Sequence, residues 1–162
     1  PNETDGLILI GGTQIMLGYL DDKEKTKDVI HIINGKRWYK TGDKGQLDSD
    51  GFLKIVDRYS RFAKIAGEMI SLGAVEEEIK THINNSNIDI LAVNLPDEKK
   101  GEKIVLLVAG DIELDELKQK LTASDMLPIM TPSTLLPVDE IPKLGSGKSD
   151  FKGAAKVAAE LL

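Results

Sequence analysis

Asp57-Arg58-Tyr59-Ser60-Arg61-Phe62-Ala63-Lys64-Ile65-Ala66-Gly67-Glu68-Met69-Ile70-Ser71-Leu72-Gly73-Ala74-Val75-Glu76 changes character twice along its length. It opens on a short polar break, Asp57 to Ser60, and continues into Phe62–Ile65 and Met69–Leu72 on either side of Ala66-Gly67-Glu68. That pattern reads as a β-hairpin whose glycine sits at the apex. From about Gly73 to Ile83 the apolar positions Val75, Ile79 and Ile83 recur every fourth residue, the spacing of one helical face. The polar break is either a hinge or a plain turn between two hairpins, since both use the same residue types.

Working outward, strands are expected at Ile88–Leu95 and Lys103–Ala109, joined by the polar loop Pro96–Glu102. A helix over Leu114–Leu121 aligns Leu114, Leu117 and Leu121, and Thr134–Val138 reads as a short strand. A terminal helix from Ser149 to Leu162 turns Phe151, Ala155, Ala158 and Leu162 inward. The order β-β-α-β-β-α-β-α predicts an α+β domain with helices packed on a small mixed or antiparallel sheet. Upstream, Leu7–Ile10 reads as a strand closed by Gly11-Gly12, Asp21–Lys27 as a charged helical turn or loop, and Trp38–Lys40 as the start of another strand. Gly45–Asp48 and Phe52–Val56 make a hairpin about Ser49-Asp50-Gly51. The expected division is a β-rich portion over 1–57, with too little core to stand alone, and a second domain over 58–162, with a hinge near 57–61.

The 162 residues are 41% hydrophobic and 30% charged, which describes a globular chain and not a disordered one. There is no cysteine, and His31 and His82 stand apart, so the sequence offers no thiolate or histidine cluster for a metal. The longest strongly apolar run, Ile104 to Ala109, is far short of the ~20 residues a membrane span needs. The formal net charge of -6 disfavours nucleic acid as a partner. The balance reverses locally: residues 36–64 hold eight basic and four acidic side chains. Lys36, Arg37, Lys40, Lys44, Lys54, Arg58, Arg61 and Lys64 form either an anion-attracting surface or a solvated hairpin whose lysines guard strand edges.

Three short constellations carry chemistry. Leu144-Gly145-Ser146-Gly147-Lys148-Ser149 holds a lysine on a glycine-flanked loop, but Pro142 stands where a phosphate-cradling P-loop needs glycine. Lys148 is therefore read as a mobile point charge that reaches into a site built elsewhere. Tyr39-Lys40-Thr41-Gly42-Asp43 places a carboxylate just after a strand, where it can either cap a turn or accept bonds from the two hydroxyls of a ribose. Gly67 either serves the hairpin turn alone or also lets an extended ligand run against the backbone.

In this order and spacing the motifs resemble the adenylate-forming superfamily of acyl-CoA synthetases, peptide-synthetase adenylation domains and luciferases. Gly6-Leu7-Ile8 through Met16-Leu17-Gly18-Tyr19 is similar to a late core stretch ending in Gly-Tyr, and Tyr39–Asp43 to a Tyr-x-Thr-Gly-Asp motif. Asp57-Arg58 through Val75-Glu76 is similar to the segment carrying the hinge and thiol-guiding hairpin, and Pro142–Lys148 to the lysine motif of adenylation. Asp57, Ser60 and Met69 depart from the usual glycine, Asp or Lys, and arginine. Arg61–Leu72 and Leu144–Phe151 further resemble the ends of bacterial bifunctional acyl-[acyl carrier protein] synthetase / 2-acylglycerophosphoethanolamine acyltransferases.

The resemblance implies Lys148 as the catalytic residue of adenylation, Asp43, Thr41 and Arg58 at the nucleotide, Ser60 as hinge, and Gly67, Lys64 and Ala66 along a thiol channel. It implies ATP with Mg2+, a fatty acid, and acyl carrier protein or coenzyme A as acceptor, with a lysophospholipid as further partner of the full-length protein. No metal ligand is implied within the chain. The chain then reads as a fragment, inactive alone, of a protein on the cytoplasmic side of the bacterial inner membrane. A carrier-protein docking module with no catalytic role is the reading from another class.

Overall fold

The computed structural model describes residues 6–83, 85 and 87–162, and the chain divides into two compact units, Pro1–Ser60 and Arg61–Leu162. In the first, β1 (Gly6–Gly11), β2 (Ile30–Ile33) and β4 (Leu53–Arg58) all pair antiparallel with the long β3 (Lys36–Leu47). β1 takes one edge of β3, while β2 and β4 share the other, β2 over Lys36–Tyr39 and β4 over Asp43–Leu47. A short helix, α1 (Lys23–Val29), precedes β2, its start capped by Asp22. The sequence reading missed β2. Its signal is Asn34-Gly35, both in the left-handed region (φ 51° and 73°), the pair that a two-residue hairpin turn favours. No hydrophobic side chain of this unit is buried among the described residues, and Ile32, Phe52, Leu53 and Ile55 stand exposed on its strands and turns.

The second unit follows the expected order. β5 (Phe62–Ile65) and β6 (Glu68–Ser71) form a hairpin, α2 (Leu72–Thr81) follows, and β7 (Asp89–Asp97) pairs antiparallel along its whole length with β8 (Gly101–Ala109). α3 (Leu114–Ala123) crosses over to β9 (Thr134–Val138), which lies parallel to Val105–Ala109, and α4 (Phe151–Glu160) closes the fold. The sheet is therefore mixed. Both of its faces are covered, which explains why β7 and β8 read as unbroken apolar runs. Ile90, Ala92, Ile104, Leu106 and Val108 meet Val75 and Ile79 of α2 and Leu117 and Leu121 of α3. Leu91, Val93, Val105 and Leu107 meet Ala154 and Ala158 of α4 on the other face.

Several boundaries move for local reasons. Leu72 opens α2 and does not end β6, because the Ser71 hydroxyl accepts from Ala74 N and fixes the helix start there. The expected loop Pro96–Glu102 shrinks to residues 98–100, since the Asp97 carboxylate accepts from Lys99 N and Lys100 N and tightens the turn. The last helix begins at Phe151, capped by Asp150 through Gly153 N, and ends at Glu160. Leu162 consequently faces solvent at 58% exposure, while Ala155 packs half-buried against the core beside the fully buried Ala154.

β7 is an edge strand, and its Ala92 N–H is not spent on the ladder. The buried Glu76 carboxylate of α2 accepts it at 2.8 Å and also accepts from Arg61 Nη2 at 2.5 Å. The Arg61 guanidinium in turn lies 4.3 Å from the ring centre of Phe151 in α4. Arg61 thus leaves the basic surface expected of it and joins the helical layers on the two faces of the sheet around β7.

Burial pushes the Glu76 carboxyl above its ordinary value of 4.5, outweighing the Ala92 N–H and Arg61, which pull it down. A carboxyl raised on folding contributes stability that is full below its unfolded pKa and lost as pH rises through the folded one. The stability difference between wild type and Glu76→Gln is therefore expected to move against wild type as pH rises from about 4 to 7. Urea unfolding across that range checks it, and a difference moving the other way contradicts it.

Candidate functional site

Thr41-Gly42-Asp43 does not follow a strand, as the sequence suggested, but lies inside β3 as a bulge. Leu7 pairs with Lys44 and Leu9 with Lys40, so Ile8 alone faces the three residues. Such bulges re-aim side chains. Gly42 makes this one possible with φ 80°, and the Thr41 hydroxyl pins it by donating to Ile8 O at 3.0 Å and accepting from Asp43 N at 3.0 Å. Asp43 is then directly opposite Arg58 of β4, whose Nε donates to Asp43 Oδ1 at 2.7 Å. The other carboxylate oxygen, Oδ2, accepts no bond among the described residues, and the side chain is 24% exposed. The three nucleotide-site residues read from the sequence are thus brought together.

A second motif joins them. Tyr39 interacts with Tyr19, the end of the Gly-Tyr stretch, and that neighbouring phenol first, then burial, pushes the Tyr39 phenol above its usual range. Tyr19 is itself fixed, its N–H donating to the Thr26 hydroxyl at 2.8 Å and its ring lying 4.2 Å from Lys25 Nζ. Lys40, also counted in the basic stretch, pairs with Asp28 at 3.2 Å.

Ser60 is exposed and lies in a single 3-10 turn, Tyr59–Arg61, at the division between the units. In the second unit, Lys64, Ala66 and Gly67 lie on the β5–β6 hairpin. Its turn is Ala66-Gly67 alone, with φ 50° and 94°, and Glu68 pairs back with Ile65. A Cβ on Gly67 would meet nothing within 4 Å, so only backbone conformation demands glycine within this unit. The hairpin is tied down by Ala66 N, which donates to Lys100 O at 2.9 Å, and by Lys64 N, which donates to Glu102. Glu102 also accepts from Asn94 Nδ2 at 2.8 Å, a strap that sequence reading did not find because its partners are distant in the chain.

Lys148 is exposed on a closed loop. Leu144 N donates to Lys148 O at 2.7 Å, Gly147 N to Leu144 O at 2.8 Å, and Asp150 N to Pro142 O at 2.8 Å. Among the described residues its ammonium has no ion-pair partner. The loop is ordered by its backbone and leaves the charge free to engage a ligand. Among the described residues no three His, Asp or Glu side chains gather to hold a metal ion, and no helix is long and apolar enough to cross a membrane.

No family model matches the chain. It is 31% identical over 151 residues to surfactin synthase subunit 1 of Bacillus subtilis, covering 90% of this chain and 4% of the relative. It is 32% identical over 145 residues to a 2-succinylbenzoate–CoA ligase of Listeria monocytogenes, covering 89% of this chain and 30% of the ligase. Among solved structures, o-succinylbenzoate CoA synthetase from Bacillus subtilis in complex with its acyl-adenylate intermediate superposes with a TM-score of 0.73 at 25% identity, over 92% of this chain and 30% of the synthetase. The chain spans less than a third of each of these proteins. The homologues and structural neighbours are adenylate-forming enzymes, and the small sheet with packed helices matches their carboxy-terminal domain.

Ala66 occupies a left-handed conformation that costs a non-glycine residue on the order of 1 kcal/mol, and its side chain is exposed. Asparagine tolerates that conformation far better. Ala66→Asn is expected to stabilise the protein by about 0.5–1 kcal/mol, seen as a higher unfolding midpoint in urea; a lower midpoint would refute the turn assignment.

Proposed function

We propose that this chain is the carboxy-terminal part of an ATP-dependent, AMP-forming acid–thiol ligase, and that its acceptor is acyl carrier protein. The observation that carries the reading is the Asp43 carboxylate, lifted on the Thr41–Asp43 bulge and held through one oxygen by Arg58. With Oδ2 open, the group suits the two adjacent hydroxyls of a ribose. The Lys148 loop supports the same reading, since it offers an unpaired cation on a well-defined backbone.

In the first half-reaction a carboxylate oxygen of a fatty acid attacks the α-phosphorus of ATP, the bond to pyrophosphate breaks, and acyl-AMP forms. Lys148 acts on the oxygens where charge redistributes, a stabilisation that counts in the transition state. In the second, the sulfur of a phosphopantetheine thiol attacks the acyl carbon, the thiol proton leaves, and the bond to AMP breaks. Ser60 is the hinge by which the second unit exchanges Lys148 for the Gly67 hairpin, with Lys64 and Ala66 beside the thiol's path. Magnesium accompanies the nucleotide, and no described residue is assigned to it. In the full-length protein the product supplies the reacylation of a lysophospholipid at the cytoplasmic face of the inner membrane. The similarity of Arg61–Leu72 and Leu144–Phe151 to the bifunctional synthetase–acyltransferases favours this acceptor and product over coenzyme A.

Lys148→Ala in the full-length protein is expected to slow acyl-AMP formation by on the order of 10² to 10³, while transfer from supplied acyl-AMP to the thiol is nearly unchanged. Equal loss in both half-reactions, measured by pyrophosphate release and thioester formation, would overturn the assignment of Lys148.

Gly67→Leu is expected to do the reverse, sparing acyl-AMP formation and stopping thioester formation. Strain at φ 94° lowers stability by ~1 kcal/mol or more, so the melting temperature is followed alongside. Loss of both activities in step with stability would reduce Gly67 to a turn residue.

A further inference from the structure

Arg61 is the first residue of the second unit and the last of the 3-10 turn that carries the hinge residue Ser60. Its side chain is nonetheless 12% exposed. Two contacts set its place: Nη2 donates to Glu76 Oε1 at 2.5 Å, and Cζ lies over the Phe151 ring, 4.3 Å from its centre. The buried Nε has no hydrogen-bond partner among the described residues.

Phe151 is the first residue of α4 and lies three positions after Lys148. Between them the chain is pinned by the Asp150 cap on Gly153 N, by Asp150 N on Pro142 O, and by the antiparallel bridge between Lys143 and Ser149. A displacement of Phe151 is therefore transmitted to the foot of the lysine loop. A guanidinium suits this place better than an ammonium, because its charge is spread over a flat, weakly hydrated group that can cover a ring while one of its N–H groups bonds a carboxylate, whereas an ammonium is a compact, strongly hydrated point charge.

We propose that Arg61 is a positioning residue: by stacking on Phe151 it ties the turn holding Ser60 to the base of the Lys148 loop, so that the setting of the turn governs the placement of the lysine. The part played by Lys148 rests on the functional reading above; the mechanical coupling does not.

The test uses the full-length protein with Arg61→Lys and, independently, Phe151→Leu. The first keeps a cation beside Glu76 and removes the planar stack; the second keeps an apolar side chain at the start of α4. Limited trypsin digestion, with peptide ends counted by mass spectrometry, reads the loop directly, since Lys143 and Lys148 are both exposed and Lys120 on α3 serves as an internal reference. Both variants are expected to raise cleavage at Lys148 relative to Lys120, and to lower kcat for acyl-AMP formation by on the order of tenfold with little change in KM for ATP or in transfer from supplied acyl-AMP. Unchanged relative cleavage at Lys148 in both variants overturns the proposal, whatever the activities do. So does cleavage that rises equally at Lys120, which reports general loosening of the unit. If relative cleavage rises as expected but adenylation is indifferent both to these variants and to Lys148→Ala, the coupling stands and the role given to the lysine falls.

Discussion

The second unit is organised around one buried carboxylate. Glu76 sits on a helix that covers one face of the sheet, yet its oxygen reaches the outer edge of β7 and takes up an N–H that no strand pairs. Burying a carboxylate is costly unless it is both hydrogen-bonded and paired. Ala92 supplies the first condition and Arg61 the second. Because Arg61 also lies on Phe151, the groups that satisfy the carboxylate lock α2, β7 and α4 together, and an exposed sheet edge is covered at the same stroke. Removing Glu76 or Arg61 leaves the other buried without its charge partner, which makes the pair costly to break.

The two sites depend on backbone as much as on side chains. Asp43 faces Arg58 only because β3 inserts extra residues opposite Ile8, and the insertion is stable only because Thr41 satisfies the polar groups the bulge would leave open. The surface ion pair itself contributes little energy, since Arg58 is 61% exposed. Its value is directional, in fixing one oxygen and leaving the other outward. Lys148 obeys the same logic through the closed loop at Leu144–Lys148.

Periodicity made the second unit legible. Every element from Phe62 onward was expected in its observed order, because helices there repeat near every fourth residue and strands are bounded by turn-forming residues. What stayed hidden were contacts between residues far apart in sequence. Glu102 with Lys64 and Asn94, and Arg61 with Glu76 and Phe151, follow from topology and have no local signature. β2 differs in kind, since Asn34-Gly35 marks its turn plainly but Ile30–Ile33 is short and ends on two adjacent isoleucines, too little for a sustained alternation. The Thr41-Gly42-Asp43 motif is legible in the sequence, whereas the bulge that gives it meaning depends on the strand on the other side.

One edge of β8 is divided between two neighbours. Val105–Ala109 carries β9, Ser133 takes up Ile104 O through both its N–H and its hydroxyl, and only Gly101 remains for Ile65 of β5. Among the described residues the β5–β6 hairpin therefore meets β8 at a single rung, with Ala66 N and Lys64 N adding backbone ties, while Ala63 and Ile65 are buried in the core. A hairpin held this way owes its position to fit more than to the ladder, so what it presents to solvent at Lys64 and Gly67 is set by how Ala63 and Ile65 pack beneath it.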